Sequence, residues 1–297
     1  PKSGSTWLRH LIWNLHIQSS PADGSPKVPD RPSTFSEVDA GIPFIEDNTG
    51  GRMDKTFEAN VDLRIFKSHQ PYSCDVSPCQ GYVANEQEEW QCECPNCASK
   101  FRRVIYIVRD GRPVMASYWK FLSELKVSGN EKDFAEFLSL GLRRYPGVGW
   151  SDHVRSWMSA PAGDKLDILW IRYEDMLSDA AAALVRVAKW LRLKSASNEE
   201  AIEWAVQASS AESMAKTEKL SGPGIFNYYK DRDPDFRMVH LDASKDDQSS
   251  WRKHFVQPVT TPRGNDEGNV ARAFNAEHKY MLECLDYPTD ITNSWRL

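Results

Sequence analysis

The sequence Pro1-Lys-Ser-Gly-Ser-Thr-Trp-Leu8 joins a short loop of glycine and serine to a helical pattern. Apolar residues then recur with the spacing of one helix face, at Trp7, Leu8, Leu11, Ile12 and Leu15. The loop therefore precedes a helix predicted over residues 5–17. Unpaired N–H groups and the positive end of the helix dipole attract anions at such a position, so the segment predicts a phosphate-binding loop.

The side chains of this loop suit the same ligand. Gly4 lets the backbone approach closely, and Lys2 adds a mobile positive charge. Hydroxyl donors come from Ser3, Ser5 and Thr6. The loop is not a Walker A motif, in which the lysine follows the glycine. An ordinary serine and glycine helix cap is the alternative interpretation of the loop taken alone.

A second segment has a strand–turn–helix pattern. Residues 103–108 form a β-branched and aromatic run that is typical of a buried strand. The run ends in the turn Arg109-Asp-Gly-Arg-Pro113, and the proline suits the first turn of a helix predicted over residues 113–125. A guanidinium such as that of Arg109 binds phosphate oxygens in a forked geometry. A surface ion pair is the alternative role for this arginine.

A third segment, Arg64-Ile-Phe-Lys-Ser-His-Gln-Pro71, reads as a strand followed by a proline break. It places Lys67 and His69 at the end of the strand, and such ends face the ligand crevice of α/β sheets. The pKa of histidine near neutrality suits the removal of a proton from an acceptor. A structural histidine is the alternative interpretation.

In their order and spacing, these three segments resemble the PAPS-dependent sulfotransferases of the cytosolic, small-molecule branch, where PAPS is 3′-phosphoadenosine 5′-phosphosulfate. The resemblance implies that Arg109 and Ser117 hold the 3′-phosphate and that His69 is the catalytic base, also touching the acceptor. It implies that Lys2 and Lys67 neutralise charge during the transfer. The phosphosulfate would be bound by Lys2, Ser3, Gly4, Ser5 and Thr6.

The resemblance extends through most of the chain. Residues 166–176 match a family strand that ends in Tyr-Glu-Asp-Met, which implies that Tyr173 lies against the adenine, with Trp7 as a second aromatic wall. Ser209 falls where the family has a hydroxyl that contacts the adenine. At the C-terminal motif, Ser244-Lys-Asp246 stands in place of Arg-Lys-Gly. The remaining cations that the resemblance assigns to the nucleotide are Lys245, Arg252 and Lys253.

The segment Gly149-Trp-Ser-Asp-His-Val-Arg-Ser-Trp157 resembles the family helix beside the acceptor pocket. This makes His153 a candidate wall of that pocket. Its neighbours Trp150, Val154 and Trp157 also form a simple core stripe. Both interpretations of His153 remain open at this point.

A cysteine-rich insertion occupies residues 72–100, approximately. It holds five of the six cysteines, namely Cys74, Cys79, Cys92, Cys94 and Cys97. Cys94-Pro-Asn-Cys97 is a C-x-x-C pattern that predicts a structural zinc site if other cysteines complete it. Disulfides, which are favoured in a secreted protein, and unlinked thiols are the alternatives. The implied transfer needs no catalytic metal.

Composition limits the partners and the location. The formal charge of −5 and the pI near 5.9 argue against a nucleic-acid partner. No apolar stretch reaches the length of a membrane span, and we expect a cytoplasmic protein. Because a family strand precedes the phosphate loop, we also expect residues upstream of Pro1. The resemblance leaves a homodimer open.

The predicted architecture is α/β, with a central parallel sheet flanked by helices and a P-loop-like phosphosulfate loop. It forms a single domain over residues 1–297 that lacks its N-terminal strand. Strands are predicted at 61–67, 103–108 and 166–172, and residues 19–60 are predicted to be loop-rich. The other predicted helices are at 133–142, 150–158, 175–191, 198–208 and 269–285.

The implied function is in-line transfer of a sulfuryl group from PAPS to a hydroxyl or an amine of a small molecule. A nucleotide-binding pseudoenzyme is one alternative, which the altered Ser244-Lys-Asp246 segment favours. A sulfotransferase acting on carbohydrate or protein is the other. It would call for a broad basic cleft, which the acidic composition does not suggest.

Overall fold

The computed structural model describes residues 3–18, 31–42, 65, 67–69, 71–72, 82–84, 90–92, 103–125, 137, 149–160, 166–221 and 267–289. Within these ranges, the strands are β1 (Tyr82–Ala84), β2 (Trp90–Cys92), β3 (Arg103–Val108) and β4 (Asp167–Arg172). The helices are α1 (Ser5–Gln18), α2 (Phe35–Gly41), α3 (Gly111–Leu125), α4 (Trp150–Met158), α5 (Tyr173–Ser178), α6 (Ala180–Leu191), α7 (Glu199–Ala208), α8 (Ala211–Ser221) and α9 (Glu267–Cys284), with a 3₁₀ turn at Lys194–Ser197.

The strands β3 and β4 are parallel neighbours in register, with Arg103 opposite Asp167 and Val108 opposite Arg172. Because successive side chains of a strand point to opposite faces, the pair carries two apolar surfaces. One surface packs with α1, α6 and α7, and it comprises Ile105, Ile107, Leu169 and Ile171. The other packs with α3, α4 and α9, and it includes Tyr106, Val108 and Trp170. The described part of the chain is therefore α/β, with helices on both faces of a parallel strand pair.

Two polar side chains on the buried face of α1 are held by later segments. Asn14 donates to the Ser209 hydroxyl at 3.0 Å and accepts from the Ser33 N–H at 3.1 Å. Arg9 donates to main-chain carbonyls at the C-terminal end of α2 and pairs with Asp39. Buried polar groups need such partners, so these contacts fix α1 against α2 and the end of α7.

Two helices were not predicted, and one predicted helix is divided. The loop-rich region contains α2, which begins with a capping box in which Thr34 and Glu37 satisfy each other's backbone N–H groups. Helix α8 follows directly after α7. The helix predicted over 175–191 is wrong as a single element, since Asp179 is extended and its carboxylate accepts the Ala182 N–H at 2.9 Å. A new helix therefore begins there.

The other predicted elements agree with the structure where it describes them. The helices at 5–17, 113–125, 150–158, 198–208 and 269–285 and the strands at 103–108 and 166–172 are present within two residues of the expected bounds. Nearly all of the strand at 61–67 and of the helix at 133–142 lies outside the described residues. The cysteine-rich insertion holds the antiparallel pair β1 and β2, which was not predicted.

Candidate active site

The ends of β3 and β4 bring Arg109 and Tyr173 together. Because the strands are parallel and Val108 is opposite Arg172, the residues that follow them leave the sheet at one edge. The guanidinium carbon of Arg109 lies 4.3 Å from the centre of the Tyr173 ring. This is cation–π contact, and it joins two segments that the sequence separately assigned to nucleotide binding.

The N-terminal loop reaches the same edge. Gly4 has a φ of +94°, and its carbonyl accepts the Leu8 N–H at 3.0 Å in the first turn of α1. A Cβ at Gly4 would lie 2.5 Å and 2.8 Å from two carbons of the Tyr173 ring. Both the conformation and the close approach call for glycine. The Trp7 ring meets Tyr173 edge to face, with centroids 6.2 Å apart. We refer to Gly4, Trp7, Arg109 and Tyr173 as the Tyr173 cluster.

The donors of this cluster fit a nucleotide with phosphates at two positions. The first turn of α1 presents N–H groups and the positive end of a helix dipole, and Arg109 supplies a guanidinium from the neighbouring segment. The Tyr173 ring contacts both Gly4 and Arg109, and with Trp7 beside it this aromatic surface suits a purine base. Ser3, Ser5 and Thr6 are half-buried in the loop, and Ser117 is half-buried on α3. Lys2 lies outside the described residues.

Ser209 lies at the C-terminal end of α7 and contacts α1 away from the phosphate loop. Its side chain is fully buried, and its hydroxyl accepts from Asn14. Since α1 rises by about 1.5 Å per residue, Asn14 is about 15 Å along the helix from Gly4. The observed contact of Ser209 is therefore structural, and its contact with adenine stays a prediction. Lys245, Arg252 and Lys253 lie outside the described residues.

The segment that carries His69 is fastened to α4 at two points. The His69 carbonyl accepts from Nε2 of His153 at 3.0 Å. Three residues later, the Tyr72 N–H donates to the Ser156 hydroxyl at 3.0 Å, and the Tyr72 ring packs on Trp157. Lys67 and His69 are half-buried. The segment thus has a fixed course past the helix.

The surroundings of His69 favour its neutral form. Desolvation lowers the pKa of His69 well below its usual value, and the positive charge of Lys67 acts in the same direction. A neutral imidazole can accept a proton at neutral pH. The histidine is therefore in the protonation state that a general base requires.

His153 is buried, as the core interpretation of its stripe required. Trp150, Val154 and Trp157 on the same helix are also buried. The ring of His153 nevertheless uses both nitrogens, since Nδ1 lies 2.9 Å from the Tyr106 hydroxyl and Nε2 lies 3.0 Å from the His69 carbonyl. Its predicted role as a wall of the acceptor pocket stays a prediction.

A hydrogen-bond network that was not predicted from the sequence holds the loop of Arg109 in place. The Asp110 N–H donates to Glu174 at 3.3 Å, and the Tyr287 hydroxyl donates to the other oxygen of that carboxylate at 3.0 Å. The fully buried Arg112 guanidinium holds the Asp110 carboxylate through several hydrogen bonds. Charge-assisted, bidentate contacts of this kind are strong. The only sequence signal that could have indicated the ion pair is the short spacing between Asp110 and Arg112.

The predicted metal site cannot be placed. Cys74, Cys79, Cys94 and Cys97 lie outside the described residues, and Cys92 ends β2. Among the residues that the structure describes, no group of three or more histidine, cysteine, aspartate or glutamate side chains is arranged to hold a metal ion. No helix within those residues is long and apolar enough to cross a membrane.

Two curated relatives and one solved structure illustrate what the chain is similar to. It is 24% identical to sulfotransferase 1E1 of Mus musculus over 72% of this chain and 63% of that protein. It is also 24% identical to sulfotransferase 2A1 of Homo sapiens, over 98% of this chain and 84% of that protein. A crystal structure of retinol dehydratase in complex with androsterone and the inactive cofactor PAP aligns with a TM-score of 0.48 at 16% identity, over 95% of this chain and 76% of that chain.

The chain thus spans less than two thirds of the length of the mouse relative. A family model described as the sulfotransferase domain matches residues 94–259, more than half of the 297 residues. The matched range includes Arg109, Ser117 and Tyr173, whereas Gly4 and His69 precede it. The chain belongs to the sulfotransferase domain family.

Proposed function

We propose that this chain transfers the sulfuryl group of PAPS to a hydroxyl or an amine of a small molecule. The observation that carries the proposal is the Tyr173 cluster, in which Gly4 at a helix N-terminus and Arg109 at a strand end contact the same aromatic ring. Residues from three distant segments meet there as a nucleotide with two phosphate positions would require. The names of the curated relatives support the same reaction.

The chain's own groups have separable roles in this proposal. The loop at Gly4 binds the 5′-phosphosulfate through the N–H groups of α1, and Lys2 and Lys67 neutralise negative charge there. Arg109 and Ser117 bind the 3′-phosphate. When bound, PAPS supplies an activated sulfuryl group. These contacts orient its sulfur towards the acceptor, so positioning and electrostatics provide most of the catalysis.

His69 moves the proton. A ring nitrogen of His69 takes the proton from the acceptor hydroxyl or amine as the acceptor atom bonds to sulfur. The bond between sulfur and the phosphate oxygen breaks in the same step, and the leaving phosphate takes the electron pair. Desolvation lowers the pKa of His69, so the ring is neutral before the transfer and has an unprotonated nitrogen for this proton. The same shift makes it a weaker base than a solvated histidine.

Binding of the product nucleotide, 3′-phosphoadenosine 5′-phosphate (PAP), tests the site by calorimetry. We expect binding that is weakened in Lys2→Ala and Arg109→Ala and retained in His69→Ala. Arg103→Ala is the matched control, because Arg103 lies at the other end of β3, about 20 Å away, where it packs on Trp190. Equal losses from the two arginine variants would indicate a general effect of removing positive charge.

Transfer from labelled PAPS to phenols, hydroxysteroids and amines tests the reaction itself. Transfer that is abolished in His69→Ala supports the enzyme and identifies the acceptor class. Tight binding of PAP without transfer to any acceptor would instead favour a nucleotide-binding protein without this activity. Absence of PAP binding at millimolar concentration would overturn both interpretations.

A further inference from the structure

We infer that His153 is a positioning residue that sets the orientation of His69 through its main chain. The inference rests on the proposed function, because it takes His69 as the base. Its observation is a continuous chain of contacts, in which the Tyr106 hydroxyl meets Nδ1 of His153 and Nε2 of His153 meets the His69 carbonyl. Each contact lies within hydrogen-bond distance.

The two partners assign the protons of the His153 ring. A carbonyl oxygen can only accept a hydrogen bond, so Nε2 must carry a proton. In the neutral ring Nδ1 is then an acceptor, and the Tyr106 hydroxyl donates to it. The carbonyl thereby selects this tautomer, and the Tyr106 hydroxyl supports it by satisfying Nδ1. The hydrogen bond made by one ring nitrogen of a histidine commonly sets the role of the other nitrogen.

The position of this carbonyl explains why the contact matters for His69. The carbonyl belongs to the His69 residue itself, so holding it fixes the peptide plane that follows the Cα. The bond from the Tyr72 N–H to Ser156 holds the same segment three residues later. With the main chain held at two points after the Cα, the course of the backbone that carries the His69 ring is set. A base must keep such a direction to reach its proton.

The same geometry separates this role from the two simpler ones. A residue that only filled the core would be replaceable by an apolar side chain of similar size. A wall of the acceptor pocket would affect the binding of the acceptor. A positioning residue should affect kcat, and a side chain that still donates to the carbonyl should restore activity.

The test compares His153→Leu with His153→Gln, whose amide N–H can donate to the His69 carbonyl. We expect kcat to fall on the order of 10²-fold in His153→Leu, as a misplaced catalytic group does, with the acceptor KM and the PAP Kd unchanged. His153→Gln should recover most of this loss. His278→Leu is the matched control, since His278 is equally buried and contacts Ser151 on α4. It should lower stability and leave kcat at the wild-type value.

Tyr106→Phe provides a second variant if His153→Leu does not fold. It removes only the hydroxyl that satisfies Nδ1 of His153 and so supports this tautomer, and a loss of roughly tenfold in kcat is expected for one hydrogen bond. Wild-type kcat in folded His153→Leu would overturn the inference. A change confined to the acceptor KM would overturn it as well and would restore the pocket-wall role.

A readout without turnover keeps this inference separate from the proposed function. The ring resonance of His69 in NMR spectra, assigned by its loss in His69→Ala, should shift and broaden in His153→Leu but not in His278→Leu. This result would support the positioning role even if no acceptor were found. An unchanged His69 resonance in His153→Leu would overturn it.

Discussion

Replacing Gly4 by alanine should damage the nucleotide site through both backbone strain and steric overlap. The φ of +94° at Gly4 is unfavourable for a residue with a Cβ, at about 1–2 kcal/mol. The added Cβ would also lie 2.5 Å from a carbon of the Tyr173 ring. Overpacking of this kind costs about 1–3 kcal/mol. The total penalty on the observed geometry is therefore about 2–5 kcal/mol.

This penalty should appear mainly in nucleotide binding. The loop can relieve the strain by leaving its observed course, but it must then return to bind the phosphosulfate. The lower end of the range corresponds to PAP binding about 30-fold weaker. Calorimetry of Gly4→Ala with PAP measures this change, and a thermal melt of the unliganded protein measures any share that appears as lost stability.

A double-mutant cycle with Tyr173→Ala separates the two causes. Without the ring, Gly4→Ala should cost only the backbone part, about 1–2 kcal/mol, so the cycle should give a coupling of about 1–3 kcal/mol. Wild-type PAP affinity and an unchanged melting temperature in Gly4→Ala would refute the reasoning. An equal penalty with and without the Tyr173 ring would show that the ring contact is not a cause.

Three further predictions concern stability. Burial raises the pKa of Glu218 to about 7, so folding opposes the ionisation of this carboxyl. Glu218→Gln should therefore stabilise the protein by about 3 kcal/mol at pH 8 and much less at pH 5. Equal gains in denaturant titrations at both pH values would contradict this. Burial lowers the pKa of His10 to about 3 and that of His278 to about 4. The unfolded chain therefore takes up these protons first as the pH falls below 6.5, and each histidine should remove about 2 kcal/mol of stability by pH 5. A free energy of unfolding that is flat between pH 7 and pH 5 would be inconsistent with this. Asp179→Ala removes the cap that accepts the Ala182 N–H, and it should cost about 1 kcal/mol in a denaturant titration; no change would mean that α6 starts without its cap.

Helices and strands with a long, regular pattern of apolar residues could be predicted from the sequence. The apolar spacing of α1 and the β-branched runs of β3 and β4 are local signals, and the structure has these elements where expected. Helix α2 has only seven residues, too few for a clear apolar period, although Thr34 and Glu37 carried its capping signal. At Asp179 one helix ends and the next begins, and the alanine-rich run that follows Asp179 hid this break.

The candidate site, too, could be predicted only in part from local patterns in the sequence. The family resemblance pointed to Arg109 and Tyr173, and the ends of parallel strands share an edge of the sheet. It did not predict that their side chains touch, or that Glu174 holds the Asp110 N–H across 64 positions of sequence. Such contacts depend on which strands are neighbours and in which register. A single sequence contains no local signal for that choice.

The contact between Gly4 and the Tyr173 ring also has a consequence for how the protein is made. Tyr173 follows Gly4 by 169 positions of sequence, so the two partners are synthesised at well-separated times. The phosphate loop therefore cannot contact the Tyr173 ring until β4 has been synthesised and has paired with β3. Contacts of such long range slow folding. A nucleotide that bridges them would bind only after β4 has paired with β3, and it would then stabilise that paired state.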